Sequence, residues 1–295
     1  MPKVEIENLN VFLLEETVWI TSAEIDVPRY DFAFETFFAC RHPIYRSDEI
    51  SAVGRFGVTD DYADLYHSLK KDGVSLIHTP EQHLLASELT DWYPLLEDVT
   101  PRSLWFDAPP SFEEIEKHFS YPIFIKGSRQ TSKHKSALSV VNSRAEYEFV
   151  AAQFRNDPIL RWQSFVCRDL IELRSVAVER QTDKIRPSFE FRTFWWRGEC
   201  VGSGAYWADF ASYSWTETEK LAALKVARKA AERLDVVFLV IDVAQTKDSE
   251  WIVIECNDAQ ESGYAAVSPI ALWQNIVEIE RARLYKSQPP AAAGG

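Results

Sequence analysis

The stretch FLVIDVAQTKDSEWIVIECNDAQESGY, from Phe238 to Tyr264, most constrains what this chain can fold into. Two apolar, β-branched runs flank a short polar segment, the pattern of two buried strands joined by a hairpin turn. The first strand ends in Asp242. The second carries Glu255 and Asn257, two residues apart and so on one face. Carboxylates that interrupt buried apolar runs need a cation or strong hydrogen-bond donors. Three oxygen ligands converging across a hairpin suit magnesium, a hard cation that shares its shell with water and substrate phosphates. Ordinary hairpin polarity is the competing reading.

Two earlier segments carry complementary charge. YPIFIKG reads as a strand ending in Lys126, placed to meet phosphate as a point charge. The loop after it, GSRQTSKHKSA from Gly127 to Ala137, holds Arg129, Lys133, His134 and Lys135, in a chain whose formal net charge is −13. It is either a phosphate-covering loop or a solvated, mobile one. In EFRTFWWRGE, Glu190 and Arg192 share a strand face. Arg192 there is a bidentate phosphate clamp or half of a cross-strand ion pair.

The rest of the chain supplies a scaffold. NVFLLE (Asn10 to Glu15) and TVWITS (Thr17 to Ser22) read as strands. DDYADLYHSLKKDG reads as a helix begun by Asp60 or Asp61 and stopped at Gly73, and VSLIHTP as a strand running into a turn. This β-α-β rhythm predicts a small α/β domain at residues 1–105. DVTPRSLWFDAPP, rich in proline, is a linker candidate. Ser111 with Glu114, Ser143 with Glu146 and Thr216 with Glu219 mark helix starts by the capping-box spacing. The helix after Thr216 carries Leu221, Leu224 and Leu234 as its apolar stripe. A last helix spans about Pro269 to Leu284, and residues 287–295 form a flexible tail.

Composition excludes several classes. The acidic balance disfavours duplex nucleic acid as a partner. The four cysteines, Cys40, Cys167, Cys200 and Cys256, form no CxxC pair, so neither a disulfide framework nor a zinc site is expected. No apolar run is long enough to span a bilayer, and MPKVEIENLN lacks the regions of a signal peptide. A cytoplasmic protein with no membrane contact is the expectation. There is no GxxxxGK[ST] loop and no GxGxxG fingerprint. His78 and His83 in HTPEQH have the wrong spacing for a helical metal pair.

The order of strand lysine, basic loop, QSFV, EFRTFWWRGE, helix, IDVA and IECND resembles the ATP-grasp superfamily over about residues 110–265. The phrasing EFRTFWWRGE with IECNDAQESGY looks most like its arginine-to-lysine clade. The resemblance implies an α/β architecture of α+β lobes: a central mixed sheet in two lobes with ATP between them, at residues 106–286, after a small pre-ATP-grasp domain. It implies that Lys126 meets the α- and β-phosphates and that Gln163, Ser164, Phe165 and Val166 form the hinge receiving adenine through backbone groups. Arg192 would face the γ-phosphate or an acyl phosphate, supported by Glu190. Asp242, Glu255 and Asn257 would hold one or two Mg²⁺ ions. The family's phosphate loop is usually glycine-rich; here Lys133 or Lys135 would take over its task. Arg102 is the best candidate for the family's earlier phosphate-binding cation. The implied reaction joins a carboxylate, small-molecule or peptide, to an amine through an acyl phosphate. An ATP-binding regulatory module and another ATP-dependent phosphotransferase are the alternatives.

Overall fold

A computed structural model of the chain describes residues 50–59, 61–131, 134–180 and 182–287, with the short segments 4–5 and 38–39. The strands expected at Asn10–Glu15 and Thr17–Ser22, Lys133, and the tail beyond Ser287 lie outside the described residues.

β1 (Val4–Glu5) and β2 (Phe38–Ala39) pair in parallel. β3 (Ile50–Ala52), α1 (Tyr62–Lys71) and β4 (Val74–Leu76) form a β-α-β unit whose strands are parallel. Gly73 closes α1 at φ +79°, a conformation that costs glycine little. α2 (Pro80–Ser87) and α3 (Leu89–Leu96) follow. VSLIHTP reads from sequence as a strand running into a turn, but its end opens α2: Thr79 caps the helix reciprocally with Gln82, and Pro80 sits where a missing N–H costs nothing.

The next unit contains β5 (Ser103–Phe106), α4 (Phe112–Glu116), β6 (Ile123–Gly127), α5 (Ser136–Ser139), β7 (Val140–Val141), α6 (Arg144–Asn156) and β8 (Phe165–Asp169). Its sheet order is β5-β8-β6-β7. The expected linker therefore holds a strand. Pro101, Pro109 and Pro110 flank the run Ser103–Phe106 without entering it, so its ladder to β8 is intact.

The last unit contains β9 (Glu190–Trp196), β10 (Glu199–Ala205), α7 (Glu217–Leu234), β11 (Phe238–Gln245), β12 (Trp251–Asp258) and α8 (Pro269–Ser287). Its sheet order is β10-β9-β11-β12. β11 runs three residues past Asp242, which therefore sits mid-strand rather than at a strand end. Every pairing in both four-stranded sheets is antiparallel, where the sequence reading expected mixed sheets. β9 and β10 are joined by Arg197 and Gly198, both at positive φ, a turn that returns the chain antiparallel to itself. The fold is α+β.

Three apolar clusters hold the structure. Ile123, Ile125, Phe165 and Cys167 pack with α4 and α6. One face of the last sheet, with Phe194, Trp196, Phe238 and Val240, packs against α8 and against Ala52, Tyr62 and Leu76. Its other face, with Trp195, Leu239 and Ile241, packs against α3 and α7. The buried side of α7 is Ala223, Ala227, Ala230, Ala231 and Leu234, whereas Leu221 is 69% exposed. The expected leucine stripe is thus an alanine stripe, whose small side chains let the helix lie close to the sheet. Enlarging Ala227 to Leu should destabilise the protein by about 1–3 kcal/mol through overpacking. Leu221→Ser should stay within about 0.5 kcal/mol of the parent. Chemical denaturation of the two variants checks both values.

Candidate active site

A single sheet face changes character along its length. The two-residue period puts Glu190, Arg192, Phe194 and Trp196 of β9 on one side. Phe238, Val240 and Asp242 of β11 share that side, because Arg192 is registered opposite Asp242 and Phe194 opposite Val240. The apolar end is covered by α8. The charged end faces a cleft.

β12 reaches the same face by an irregularity. Asp242 pairs with Glu255, but Val243 pairs with Val253, so Ile254 is an extra residue. Such a bulge shifts the alternation by one. Val253 and Cys256 consequently both enter the apolar cluster on the far face, while Glu255 and Asn257 line the cleft. The freed carbonyl of Ile254 accepts from Arg168 Nη1 at 2.7 Å, and Arg168 Nε donates to Ser103 Oγ at 2.9 Å. Arg168 thereby ties the two large sheets together.

The charges are paired. Arg192 donates from Nε and Nη2 to the two oxygens of Asp242 at 2.9 and 2.7 Å, and from Nη1 to the Gly263 carbonyl at 2.8 Å. Burial works against the guanidinium charge, but Asp242 outweighs it and raises the Arg192 pKa. The Lys126 ammonium donates to Glu255 Oε1. Burial pushes the Glu255 carboxyl up, yet Lys126 holds it below the usual range. Glu190 has no such cation among the described residues. Burial, reinforced by Asp242, lifts its pKa to about 8, although Trp207 Nε1 and Ser188 Oγ donate to it at 2.9 and 3.2 Å.

The cleft has a volume of about 610 Å³ and is also lined by Arg129, His134, Lys184, Tyr206 and Glu261. Cations and oxygen donors thus converge in a space of small-ligand size.

A family model for the ATP-grasp domain, family 3 of the arginine-to-lysine clade, matches residues 107–276, more than half of the chain. The chain belongs to the ATP-grasp family. Solved structures agree on the fold. A RimK domain ATP-grasp protein from Sphaerobacter thermophilus gives a TM-score of 0.56 at 13% identity, covering 94% of this chain and 98% of that one. The D-alanine–D-alanine ligase of Bacillus anthracis complexed with ATP gives 0.55 at 14% identity, covering 97% and 100%. The VanG D-Ala:D-Ser ligase of Enterococcus faecalis gives 0.54 at 15%, covering 81% and 70%. At such identities the likeness shows the fold alone. No curated protein matches the chain in sequence.

Within the ATP-grasp fold the expected site residues separate into groups. Lys126, Glu190, Arg192, Asp242, Glu255 and Asn257 come together through the hairpins and the β6–β12 ion pair. Gln163 is buried and acts on the basic loop: its Oε1 accepts from the N–H groups of Arg129 and Gln130 at 2.9 and 3.1 Å. Gly127 makes room for it, since a Cβ there would stand 2.1 Å from Gln163 Oε1. Ser164 is half-buried and precedes β8. Phe165 and Val166 do not offer free backbone for adenine, because β8 is flanked by β5 and β6 and both residues lie in both ladders. Lys135 is exposed and outside the cleft lining; Lys184, bridged to it through the backbone, lines the cleft instead. Arg102 forks onto Asp169 at the surface, at 3.0 and 2.9 Å, and lines no part of the cleft.

The first part of the loop after β6 is packed rather than solvated, whereas Lys135 and Ala137 are exposed. Ser128, Arg129 and Thr131 are buried. His134 lies between Thr131 Oγ1 at 3.0 Å and Tyr206 Oη at 2.9 Å, and burial drops its pKa to about 4, which keeps it neutral. Lys184, Tyr206 and Glu261 carry no sequence signal of their own; only the fold brings them to the cleft.

For magnesium, the oxygen-only donors Glu255 and Asn257 on the cleft wall fit a hard cation. Asp242 stands behind them with both oxygens engaged by Arg192. Among the described residues no three His, Cys, Asp or Glu side chains cluster as a complete cage. A shell shared with phosphate and water needs none.

The raised pKa of Glu190 has a thermodynamic consequence. The folded state keeps its proton up to about pH 8, whereas an unfolded glutamate releases it near 4.5. The folded state therefore binds more protons across that window, and stability falls as pH rises through it. Glu190→Gln preserves the acceptor for Trp207 and Ser188 without titrating. Its melting temperature relative to the parent should rise steadily from pH 5 to pH 8, as followed by thermal melts.

Proposed function

We propose that this ATP-grasp protein is an ATP- and magnesium-dependent ligase that joins a carboxylate to an amine. One observation carries the reading: Arg192 and Glu255 line one cleft, each paired with a buried partner behind it, Asp242 and Lys126, in two cation–carboxylate pairs from three neighbouring strands and a facing sheet. Such a floor can exchange its internal pairing for phosphate and metal without leaving a charge uncompensated.

In the proposed reaction the substrate carboxylate takes the γ-phosphoryl group of ATP, and an amine then displaces phosphate from the acyl phosphate. Phosphoryl transfer of this kind needs aligned, neutralised oxygens more than covalent chemistry from the protein. Lys126 supplies a compact charge from the end of β6. Arg192 supplies a planar fork, held in orientation by Asp242 and the Gly263 carbonyl. Gln163 fixes the loop that carries Arg129 over the cleft. Glu255 and Asn257, with the charge of Asp242 behind them, would hold magnesium, which would supply phosphate neutralisation and alignment. Partners are then small-molecule or peptide carboxylates and amines. Among the described residues Cys167, Cys200 and Cys256 are free thiols, which supports a cytoplasmic setting, and no described helix is long and apolar enough to cross a membrane.

Glu255→Ala and Asn257→Ala should abolish Mg²⁺-dependent ATP turnover, a loss of about 100-fold or more, while circular dichroism shows a retained fold. Asp242→Asn should weaken turnover as well. Calorimetry with a non-hydrolysable ATP analogue, with and without Mg²⁺, checks where the loss arises. Normal turnover and unchanged Mg²⁺ dependence in folded Glu255→Ala would overturn the reading.

A further inference from the structure

Glu261 follows β12 in the segment that closes the cleft. It lines the cleft yet is only 5% exposed. Its Oε1 accepts from the Thr59 N–H at 3.1 Å and stands 3.8 Å from His83 Nε2. His83 is 1% exposed, lies flat against Tyr62 with ring centroids 3.8 Å apart, and has no hydrogen-bond partner at Nε2.

The tautomer of His83 follows from its neighbours. Asp258 collects donors: His78 Nδ1 at 2.9 Å, the Gln260 N–H at 2.8 Å and Gln260 Nε2 at 3.1 Å. The Phe238 N–H donates to His78 Nε2, so His78 carries its proton on Nδ1 and passes that hydrogen bond to Asp258. Against the effect of burial, His78 and His83 hold Asp258 well below the usual carboxylate range. An ionised Asp258 accepts only, so His83 Nδ1, 3.0 Å from it, is a donor too. A lone pair on His83 Nε2 facing an ionised Glu261 would be two acceptors in a buried space. A proton on the Glu261 carboxyl removes that opposition. Burial raises the Glu261 pKa to about 7, so this carboxyl exchanges its proton near neutrality.

We propose that Glu261 is the base that deprotonates the amine substrate, with His83, positioned by Asp258, as its proton partner. The assignment rests on the ligase reading and deepens it. The substrate class is a primary amine that arrives as an ammonium ion. One N–H bond of the ammonium breaks, its electron pair stays on nitrogen, and an O–H bond forms on Glu261. The nitrogen pair then forms the C–N bond as the acyl C–O bond to phosphate breaks, and the departing phosphate takes the second proton. Among the described residues, the groups that face Glu261 include His83 from α2, Tyr62 from α1, Asp258 from β12, Arg129 from the loop after β6, and the Thr59 N–H. A general base of this kind matters for an ammonium and far less for an amine already neutral at pH 7.

The test compares two nucleophiles. The full chain, with ATP and Mg²⁺, is screened against L- and D-amino acids as carboxylates, with hydroxylamine, which is neutral at pH 7, as the trap. Carboxylates that yield hydroxamate are then paired with amino acids as ammonium nucleophiles. In Glu261→Gln, amide formation near pH 7 should fall about 100-fold, hydroxamate formation by far less, and the amide deficit should shrink as pH rises toward 9. Equal losses for both nucleophiles, or retained amide formation, overturn the assignment. If thermal melts show Glu261→Gln unfolded, Glu261→Asp should lower amide formation more than hydroxamate formation, and equal effects overturn it. No hydroxamate from the parent protein with any carboxylate overturns the ligase reading and this assignment with it.

Discussion

Asp242 sits mid-sheet with 1% of its surface exposed. An ionised carboxylate there is tolerable only with a permanent cation in contact, because the cost of an isolated buried charge rivals the net stability of a domain. Arg192 is that cation, and its place is dictated by register: it is the residue directly across the ladder. Slipping β9 by one residue would turn Arg192 into the cluster of Trp195, Leu239 and Ile241 and turn Phe191 toward Asp242. The pairing of β9 with β11, the covering of the apolar end by α8 and the opening of the charged end as a cleft therefore stand or fall together.

Much of this was legible in the residues. The hairpin β11–β12, the α7 cap at Thr216 and the grouping of Lys126, Arg192 and Glu255 follow from periodicity and from charge inside apolar runs. The bulge at Ile254 was not legible, since nothing in WIVIECND distinguishes a regular strand from one with an extra residue. It is nonetheless what turns Glu255 from the apolar face to the cleft. Strand β5 was hidden by flanking prolines, and α2 by the brevity of its apolar pattern. The alanine side of α7 was masked by the leucines, because hydropathy scores size while close packing against a sheet selects for smallness. The residues of the cleft that lie on connecting segments, Tyr206, Lys184 and Glu261, had only spatial signatures.

The hydrogen bonds between units concentrate around the end of β12. Arg168 reaches from the first large sheet to Ile254, and Thr100 Oγ1 donates to the Val253 carbonyl at 2.9 Å. The Gly54 and Phe56 N–H groups bond Gln260 at 2.7 and 3.0 Å. These contacts hold the cleft walls at fixed separation where charge has to be placed accurately.

The buried cluster around Asp258 bears on modularity. The family resemblance begins at Asp107, yet His78 and His83, which neutralise the electrostatic demand of Asp258, and Ser103, which steadies Arg168, all precede it. A fragment cut at that boundary would lose both histidines and leave the buried Asp258 carboxylate without those two partners. The segment that the family model recognises is smaller than the hydrogen-bonded unit around Asp258, so grafting it onto another leader would require transplanting the two histidines with it.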